Sequence, residues 1–408
     1  MTTTLDGSPV FRDVATAPPD PILSLTEHYR GDSRSDKLNL GVGVYVAADG
    51  TTPVLAAVKA AEERILREEV SKSYLPIPGT AEYASRVREL VLGPAHPAVA
   101  AGRSFTLHSP GGTGALRVFL ETLQRVAPQT RVWVSDPTWV NHGPLLDAVG
   151  LEQRVYPYFD PSSQGLAFDA MVAALEGAVA GDVVVLHSCC HNPSGVDLSA
   201  DQWSVVAELV ARRQLLPLFD FAYQGFGDGL DADAAGMLKV IAAVPEAAVC
   251  SSFSKNLGLY RERVGALTMI TADARETEPL FSQAKRAVRS LYSSPPSHGG
   301  TVAAMVLSDD HLRRQWLAEL DAMRQRVVDM RQLLAACLDD RGLHLHPQGN
   351  DFLRRKRGMF SFTGLGPEQV DRMRDEQAVY MVRSGRINVA GLNERTVPRL
   401  VDALAAIL

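Results

Sequence analysis

Ser251-Ser252-Phe253-Ser254-Lys255-Asn256-Leu257-Gly258-Leu259-Tyr260-Arg261-Glu262-Arg263-Val264-Gly265 sets one lysine among small polar residues, between two apolar runs. Before it, Ala247-Ala248-Val249-Cys250 reads as a buried strand, and Val264-Gly265-Ala266-Leu267-Thr268-Met269-Ile270 reads as the next one. Lys255 therefore stands at a strand end. An ammonium is costly to bury there, so its pKa falls, which is the condition that an imine-forming nucleophile requires. Ser252, Ser254 and Arg263 supply hydroxyl donors and a fixed cation around the same point, the equipment for gripping a phosphate dianion.

An imine-forming lysine beside a phosphate grip is the shape of a pyridoxal-phosphate site. An isolated Ser-x-x-Lys would be no more than a surface loop, but the run from Ser252 to Gly265 continues as Ser-Phe-Ser-Lys-Asn-x-Gly-Leu-Tyr-x-Glu-Arg-x-Gly. It resembles the cofactor-lysine signature of the aspartate/aromatic aminotransferases, class I members of the fold-type I pyridoxal-phosphate enzymes. The resemblance implies an α/β fold: a large domain with a mostly parallel sheet, plus a smaller α+β domain.

Composition sets the outer bounds. With 408 residues, 46% hydrophobic and 22% charged, the chain has room for a large domain and a smaller one. A net charge of -6 argues against nucleic acid as a partner, because phosphate backbones need clustered positive surface. The basic run Arg354-Arg355-Lys356-Arg357 reads as a solvated strand edge. The four cysteines (Cys189, Cys190, Cys250, Cys337) show no metal-ligand or CxxC spacing, so no metal is expected, and they read as reduced thiols of a cytoplasmic protein. No basic n-region precedes an apolar one, and no uninterrupted apolar stretch reaches about 18 residues, so no export and no membrane partner are expected.

In chain order, residues 1 to about 40 are rich in Pro, Asp and Ser around the patch Pro21-Ile22-Leu23-Ser24-Leu25, the composition of an arm that is either disordered or laid on a partner. Leu38-Asn39-Leu40-Gly41-Val42-Gly43-Val44-Tyr45 follows, with glycines that let backbone approach a ligand. Pro53 to Val70 reads as a helix with Leu55, Val58, Ile65 and Leu66 on one face, broken by Ser73-Tyr74-Leu75-Pro76. Gly111-Gly112-Thr113-Gly114 opens a helix running to about Val126, and the bare N–H groups and dipole of such an end attract an anion. Arg131 to Ser135, Asp182 to His187 and Leu215 to Asp220 read as buried strands of a parallel α/β sheet, each followed by a polar turn. Apolar positions at steps of three and four from Leu312 to Leu338 predict one long helix joining the large domain to a small one. In the small one, Met359 to Phe362 and Val379 to Val382 read as strands and a last helix starts near Asn393. The expected divisions are 1–50 for the arm and part of the small domain, 51–310 for the large cofactor domain, and 311–408 for the linking helix and the rest of the small domain.

Chemistry gathers in the turns. An indole just past a strand end, Trp139, can lie flat on an aromatic ring. The turn at Asn192 can aim its amide at a phenolate oxygen. Asp220 is a carboxylate at a buried strand end, expensive unless paired, and a protonated pyridine nitrogen is a partner that would make the ring an electron sink. Tyr223 can donate to the same phenolate as Asn192. Arg386, at the edge of an apolar run, suits bidentate capture of a carboxylate.

The segments around these residues are similar to family motifs in the expected order. The resemblance implies that Gly111, Gly112 and Thr113 belong to the phosphate loop and that Trp139 stacks on the ring. Val42 and Gly43 lie over the substrate, and Arg386 receives its α-carboxylate. It also implies a homodimer with shared active sites, in which Tyr74 bonds the neighbour's cofactor phosphate and Arg289 holds the side-chain carboxylate of the neighbour's substrate. Two departures stand out: Ser294 where the family more often has asparagine, and the bland Val46-Ala47-Ala48. The expected activity is amino-group transfer between a dicarboxylic or aromatic L-amino acid and a 2-oxo acid, with 2-oxoglutarate as acceptor, through Lys255, Asp220 and Tyr223. Elimination, replacement or carbon–carbon bond formation in a biosynthetic pathway is the alternative, and the motifs do not name the amino donor.

Overall fold

The computed structural model describes Phe11, residues 14–17, Asp20 and residues 23–408. Pro18, Pro19, Pro21 and Ile22 of the expected arm lie outside the described residues, and a helix over Leu23–Gly31 follows them.

Seven strands form the central sheet: β1 Ser104–Pro110, β2 Arg131–Asp136, β3 Glu152–Pro157, β4 Val183–His187, β5 Leu216–Phe221, β6 Ala247–Ser252 and β7 Val264–Ile270. Their order is β1-β7-β6-β5-β4-β2-β3. β7 runs antiparallel to both its neighbours and every other pairing is parallel. β4 shows why its strand is a continuous apolar run: Val183 and Val185 enter one apolar cluster, while Val184 and Leu186 enter the other, across the sheet. Both faces are covered, so both sets of side chains leave water.

Helices α1 (Gly111–Val126), α2 (Ala200–Arg212), α3 (Leu230–Ala243) and α4 (Asp310–Asp340) set the rest. α1 buries Ala115, Leu116, Phe119, Leu120 and Leu123, the inward positions of its period. α2 starts with a capping box, Ser199 accepting from the Gln202 amide while the Gln202 side chain accepts from the Ser199 amide. α4 begins where Asp309 accepts from the His311 and Leu312 amides. Its first half, Leu312, Trp316, Leu320, Met323 and Val327, joins the core of the sheet. Its second half, Met330, Leu334, Ala335 and Leu338, joins a separate cluster with Leu40, Phe352, Val379, Ile387 and Leu400. That second cluster brings the two ends of the sequence together, as Leu38–Asn39 pairs in parallel with Val379–Tyr380. Phe360–Phe362 pairs antiparallel with Arg386–Asn388.

Two expectations need correction. The helix after Pro53 spans Ala56–Glu68, and Leu66 is 85% exposed, because the buried stripe is Ala57, Val58, Ala61 and Ile65 and the next residue is turned about 100° away. The basic run is not a strand edge. Asp351–Arg355 is a short helix, Arg354 pairs with Asp339 and Asp351, and Arg357 pairs with Asp228. Lys356 is buried, donating to Gln164 Oε1 at 3.0 Å between the Phe159 and Phe352 rings. Near it Arg331, fully buried on α4, donates to the carbonyl oxygens of Leu353, Arg357, Gly358 and Phe360. Among the described residues, no helix is long and apolar enough to cross a membrane.

Candidate active site

β1, β2, β4, β5 and β6 end on one edge of the sheet, and antiparallel β7 begins there, so the polar turns gather along that edge. They enclose a cavity of about 220 Å³ lined by Gly43, Gly112, Thr113, Leu116, Trp139, Asn192, Asp220, Ala222, Tyr223, Ser252, Ser254, Lys255, Tyr260 and Arg263. Leu116, Ala222 and Tyr260 were not expected in this wall. Tyr260 lies within the lysine stretch, and its hydroxyl accepts from the Tyr45 amide at 2.9 Å.

Lys255 Nζ stands 4.8 Å from the centre of the Tyr223 ring. The enclosing protein pulls its ammonium down to about 8, against the opposing pull of the Asp220 carboxylate and with help from the Arg263 guanidinium. Burial acts to raise the Asp220 carboxyl. The hydrogen bond from His142 Nε2 at 3.2 Å, with His187, His142 and Lys255 nearby, outweighs it and holds the group below its ordinary value. His142 and His187 were not read from the sequence. With Asp220 they place three ligating atoms within 4.8 Å of one another, close enough to hold a metal ion. His142 is already tied to Thr138 Oγ1 at 2.7 Å and stands edge-on to Trp139.

A polar cradle in this wall is assembled from backbone and side chain. Arg263 donates to Ser254 Oγ at 3.3 Å and to the Tyr260 carbonyl at 3.1 Å, and Ser252 Oγ donates to Ser254 Oγ at 3.2 Å. Gly111 has φ +73, and a Cβ there would sit 2.3 Å from an Arg263 terminal nitrogen, so glycine is what lets the guanidinium lie over the start of α1. A Cβ on Gly43 would come within 2.7 Å of the Phe360 ring.

Arg386 is buried, and burial pulls it down to about 10, so it stays charged at neutral pH. Its Nη1 donates to Asn192 Oδ1 at 3.1 Å and its Nη2 to the Gly41 carbonyl at 2.6 Å, with the plane 4.3 Å over the Phe360 ring. Among the described residues its buried Nε has no hydrogen-bond partner. Asn192 turns its amide nitrogen toward the Tyr223 hydroxyl at 3.5 Å, and burial raises the Tyr223 phenol well above its ordinary value.

Tyr74 and Arg289 do not join this cavity. Tyr74 is 96% exposed, and the two line a separate groove with Lys72, Tyr292, Ser294 and Pro296, where Arg289 bonds Ser293.

A lysine of lowered pKa opposite a buried, ionised carboxylate, beside a glycine, serine and arginine cradle, fits pyridoxal phosphate. Arg386 reaches the wall of the same cavity through its bond to Asn192. The fold and site thus define a pyridoxal-phosphate enzyme of the α/β type. The family described as "Aminotransferase class I and II" matches residues 35–404. The chain is 47% identical to an aspartate aminotransferase of Salmonella typhi over 98% of its length and 100% of that protein. It is 48% identical to an aromatic-amino-acid aminotransferase of Pseudomonas aeruginosa over 97% of its length and 98% of that protein. A solved aromatic-amino-acid aminotransferase from Burkholderia pseudomallei, covalently bound to pyridoxal phosphate, superposes with a TM-score of 0.95 at 46% identity, covering 98% of this chain and all of that one. The aspartate aminotransferase of Saccharomyces cerevisiae cytoplasm does so with a TM-score of 0.94 at 35% identity, covering 98% of each. The chain belongs to the class I and II aminotransferases: it is a pyridoxal-phosphate-dependent enzyme that transfers an amino group.

Proposed function

We propose that the amino donors are dicarboxylic or aromatic L-amino acids and that 2-oxoglutarate is the acceptor. Arg386 supports an amino-acid substrate of either class: its buried, charged guanidinium, bonded to Asn192 of the cavity wall, suits the α-carboxylate that all such donors share. Relatives named for aspartate and for aromatic amino acids at similar identity support both donor classes.

Gly111, Gly112, Thr113, Ser252, Ser254 and Arg263 would hold the phosphate. Trp139 would cover the ring, Asn192 and Tyr223 would donate to its oxygen, and Asp220 would hold its nitrogen. When bound, pyridoxal phosphate supplies a carbonyl for the substrate amine and a sink for the electrons of the α-carbon. Lys255 Nζ, poised near neutrality, removes the α-proton and later returns it. Asp220, kept ionised by His142, keeps positive charge opposite itself, and Arg386 fixes the substrate so that its α-hydrogen faces Lys255.

We place the enzyme in the cytoplasm as a homodimer. Tyr74 and Arg289 share an exposed groove outside their own chain's cavity, as suits residues that complete a neighbour's site. We keep the divisions 1–50, 51–310 and 311–408, supported by the way α4 splits between two cores.

The test is a half-reaction: the protein is mixed with single L-amino acids and no acceptor, and the 2-oxo acid formed is measured, followed by glutamate once 2-oxoglutarate is added. Aspartate or an aromatic amino acid should give one 2-oxo acid per site. Release of a side-chain group in place of any 2-oxo acid would overturn the reading in favour of elimination chemistry.

A further inference from the structure

The turn that carries Asn192 is braced by a carboxylate that does not line the cavity. Asp197 accepts from the Cys190 amide through Oδ2 at 2.7 Å and from the His191 amide through Oδ1 at 2.8 Å. These are the two amides directly before Asn192. Cys190 sits at φ +53, a left-handed conformation that costs free energy in a residue with a side chain and persists only where its surroundings impose it. Other bonds close the turn without reaching those amides: the Gly195 amide to the His191 carbonyl at 2.7 Å, the Val196 amide to Ser194 Oγ at 3.2 Å, the His191 ring with Ser194 Oγ at 2.8 Å and Ser135 Oγ at 3.0 Å, and the Arg357 amide to the Gly195 carbonyl at 2.8 Å. Asp197 therefore holds the backbone that carries Asn192, whose side chain bonds Arg386 and Tyr223.

We propose that Asp197 is a positioning residue: by fixing the Cys190 and His191 amides it aims Asn192 at both Tyr223 and Arg386, and so tunes the hydrogen bond that Asn192 offers to the cofactor's ring oxygen. This rests on the role proposed for Asn192. The arrangement requires a carboxylate, because only an ionised carboxyl presents an acceptor to each of two adjacent amides, whereas an asparagine would turn an NH₂ group against one of them. The protein packed around Asp197 pushes its carboxyl up to about 6. The two amides and Arg357 oppose that push and Asp233 adds to it, which leaves the group ionised at neutral pH.

The experiment is a pH titration of the bound cofactor's visible absorbance in the holoenzyme, for wild type, Asn192→Ala, Asp197→Asn and the double variant. Losing a donor to the ring oxygen makes that oxygen more basic, so Asn192→Ala should raise the midpoint by about one pH unit. Asp197→Asn should raise it by at least half as much, and the double variant should match Asn192→Ala alone, since the two act through one side chain. Should Asp197→Asn not accumulate as folded protein, Asp197→Glu serves. Its carboxylate, displaced by one methylene, should give a smaller rise that vanishes in the Asn192→Ala background. A midpoint that Asp197→Asn leaves at the wild-type value, or a shift that adds fully to that of Asn192→Ala, overturns the proposal and leaves Asp197 as a brace for stability alone. If Asn192→Ala itself leaves the midpoint unmoved, the role of Asn192 fails first.

Discussion

Replacing Arg386 by lysine keeps the charge and removes the geometry. The guanidinium donates to Asn192 Oδ1 and the Gly41 carbonyl, lies over Phe360 at 4.3 Å, and keeps a buried Nε–H in reserve. An ammonium is a single point on a flexible stem, so it cannot hold those two acceptors and also form a fork with a carboxylate. One charge-assisted hydrogen bond contributes about 1.5–3 kcal/mol, and the stacked cation contributes about 1 kcal/mol. The loss, about 2.5–4 kcal/mol, corresponds to a fall in kcat/KM of about 60- to 700-fold at 1.4 kcal/mol per decade. The assay measures kcat/KM for aspartate, glutamate, phenylalanine and tyrosine with a fixed acceptor. The fall should be of similar size for all four, because the α-carboxylate is common to them. A loss under about tenfold, or one confined to the dicarboxylic donors, would refute the assignment of Arg386 to that group.

Because Lys255 is pulled down to about 8, capture of pyridoxal phosphate by the cofactor-free protein should quicken as pH rises and level off above that value. The stability cost of burying Lys255 is fully present below about 8 and fades toward its ordinary value of 10.5. A capture rate that stays flat between pH 6 and pH 10 would count against the neutral amine as nucleophile. Asp220→Asn should lower kcat more than Tyr223→Phe, since in the proposed roles one would hold the ring nitrogen and the other a single oxygen; equal mild losses would contradict that ranking. Arg289→Ala should weaken aspartate and glutamate by orders of magnitude and spare aromatic donors. Gly195→Ala should destabilise the fold by about 2–4 kcal/mol in denaturant titration, because a Cβ there would sit 2.3 Å from the Phe360 carbonyl oxygen at φ +68.

The turns that hold Lys255, Asp220 and Asn192 were legible because each follows a strand buried on both faces, which writes itself as an unbroken apolar run. The two histidines around Asp220 were not: His142 lies 78 residues away along the chain and meets the carboxylate only because β2, β4 and β5 are neighbours in the sheet. Lys356 misled for a related reason. Three arginines beside it mark a solvated face, yet its partner Gln164 lies 192 residues away and nothing local announces it. The place of Phe360 beneath Arg386 follows from strand pairing in the C-terminal core, which the short apolar runs suggest but do not register.

The pairing of β1 with β7 also shapes how the molecule comes into being. As the chain leaves the ribosome, β1 emerges with no sheet partner, and Pro110 must wait for Val264 and Ser104 for Ile270. At roughly 5–20 residues per second that interval lasts on the order of 8 to 33 s, during which the edge of β1 and the apolar face of α1 are exposed to other nascent chains. The cradle of Gly111, Gly112, Ser252 and Arg263 spans the same gap in synthesis, so it is incomplete until Arg263 has been made. Overproduction faster than this closure should therefore fill inclusion bodies whatever the supply of cofactor, and slower translation or lower temperature should relieve it.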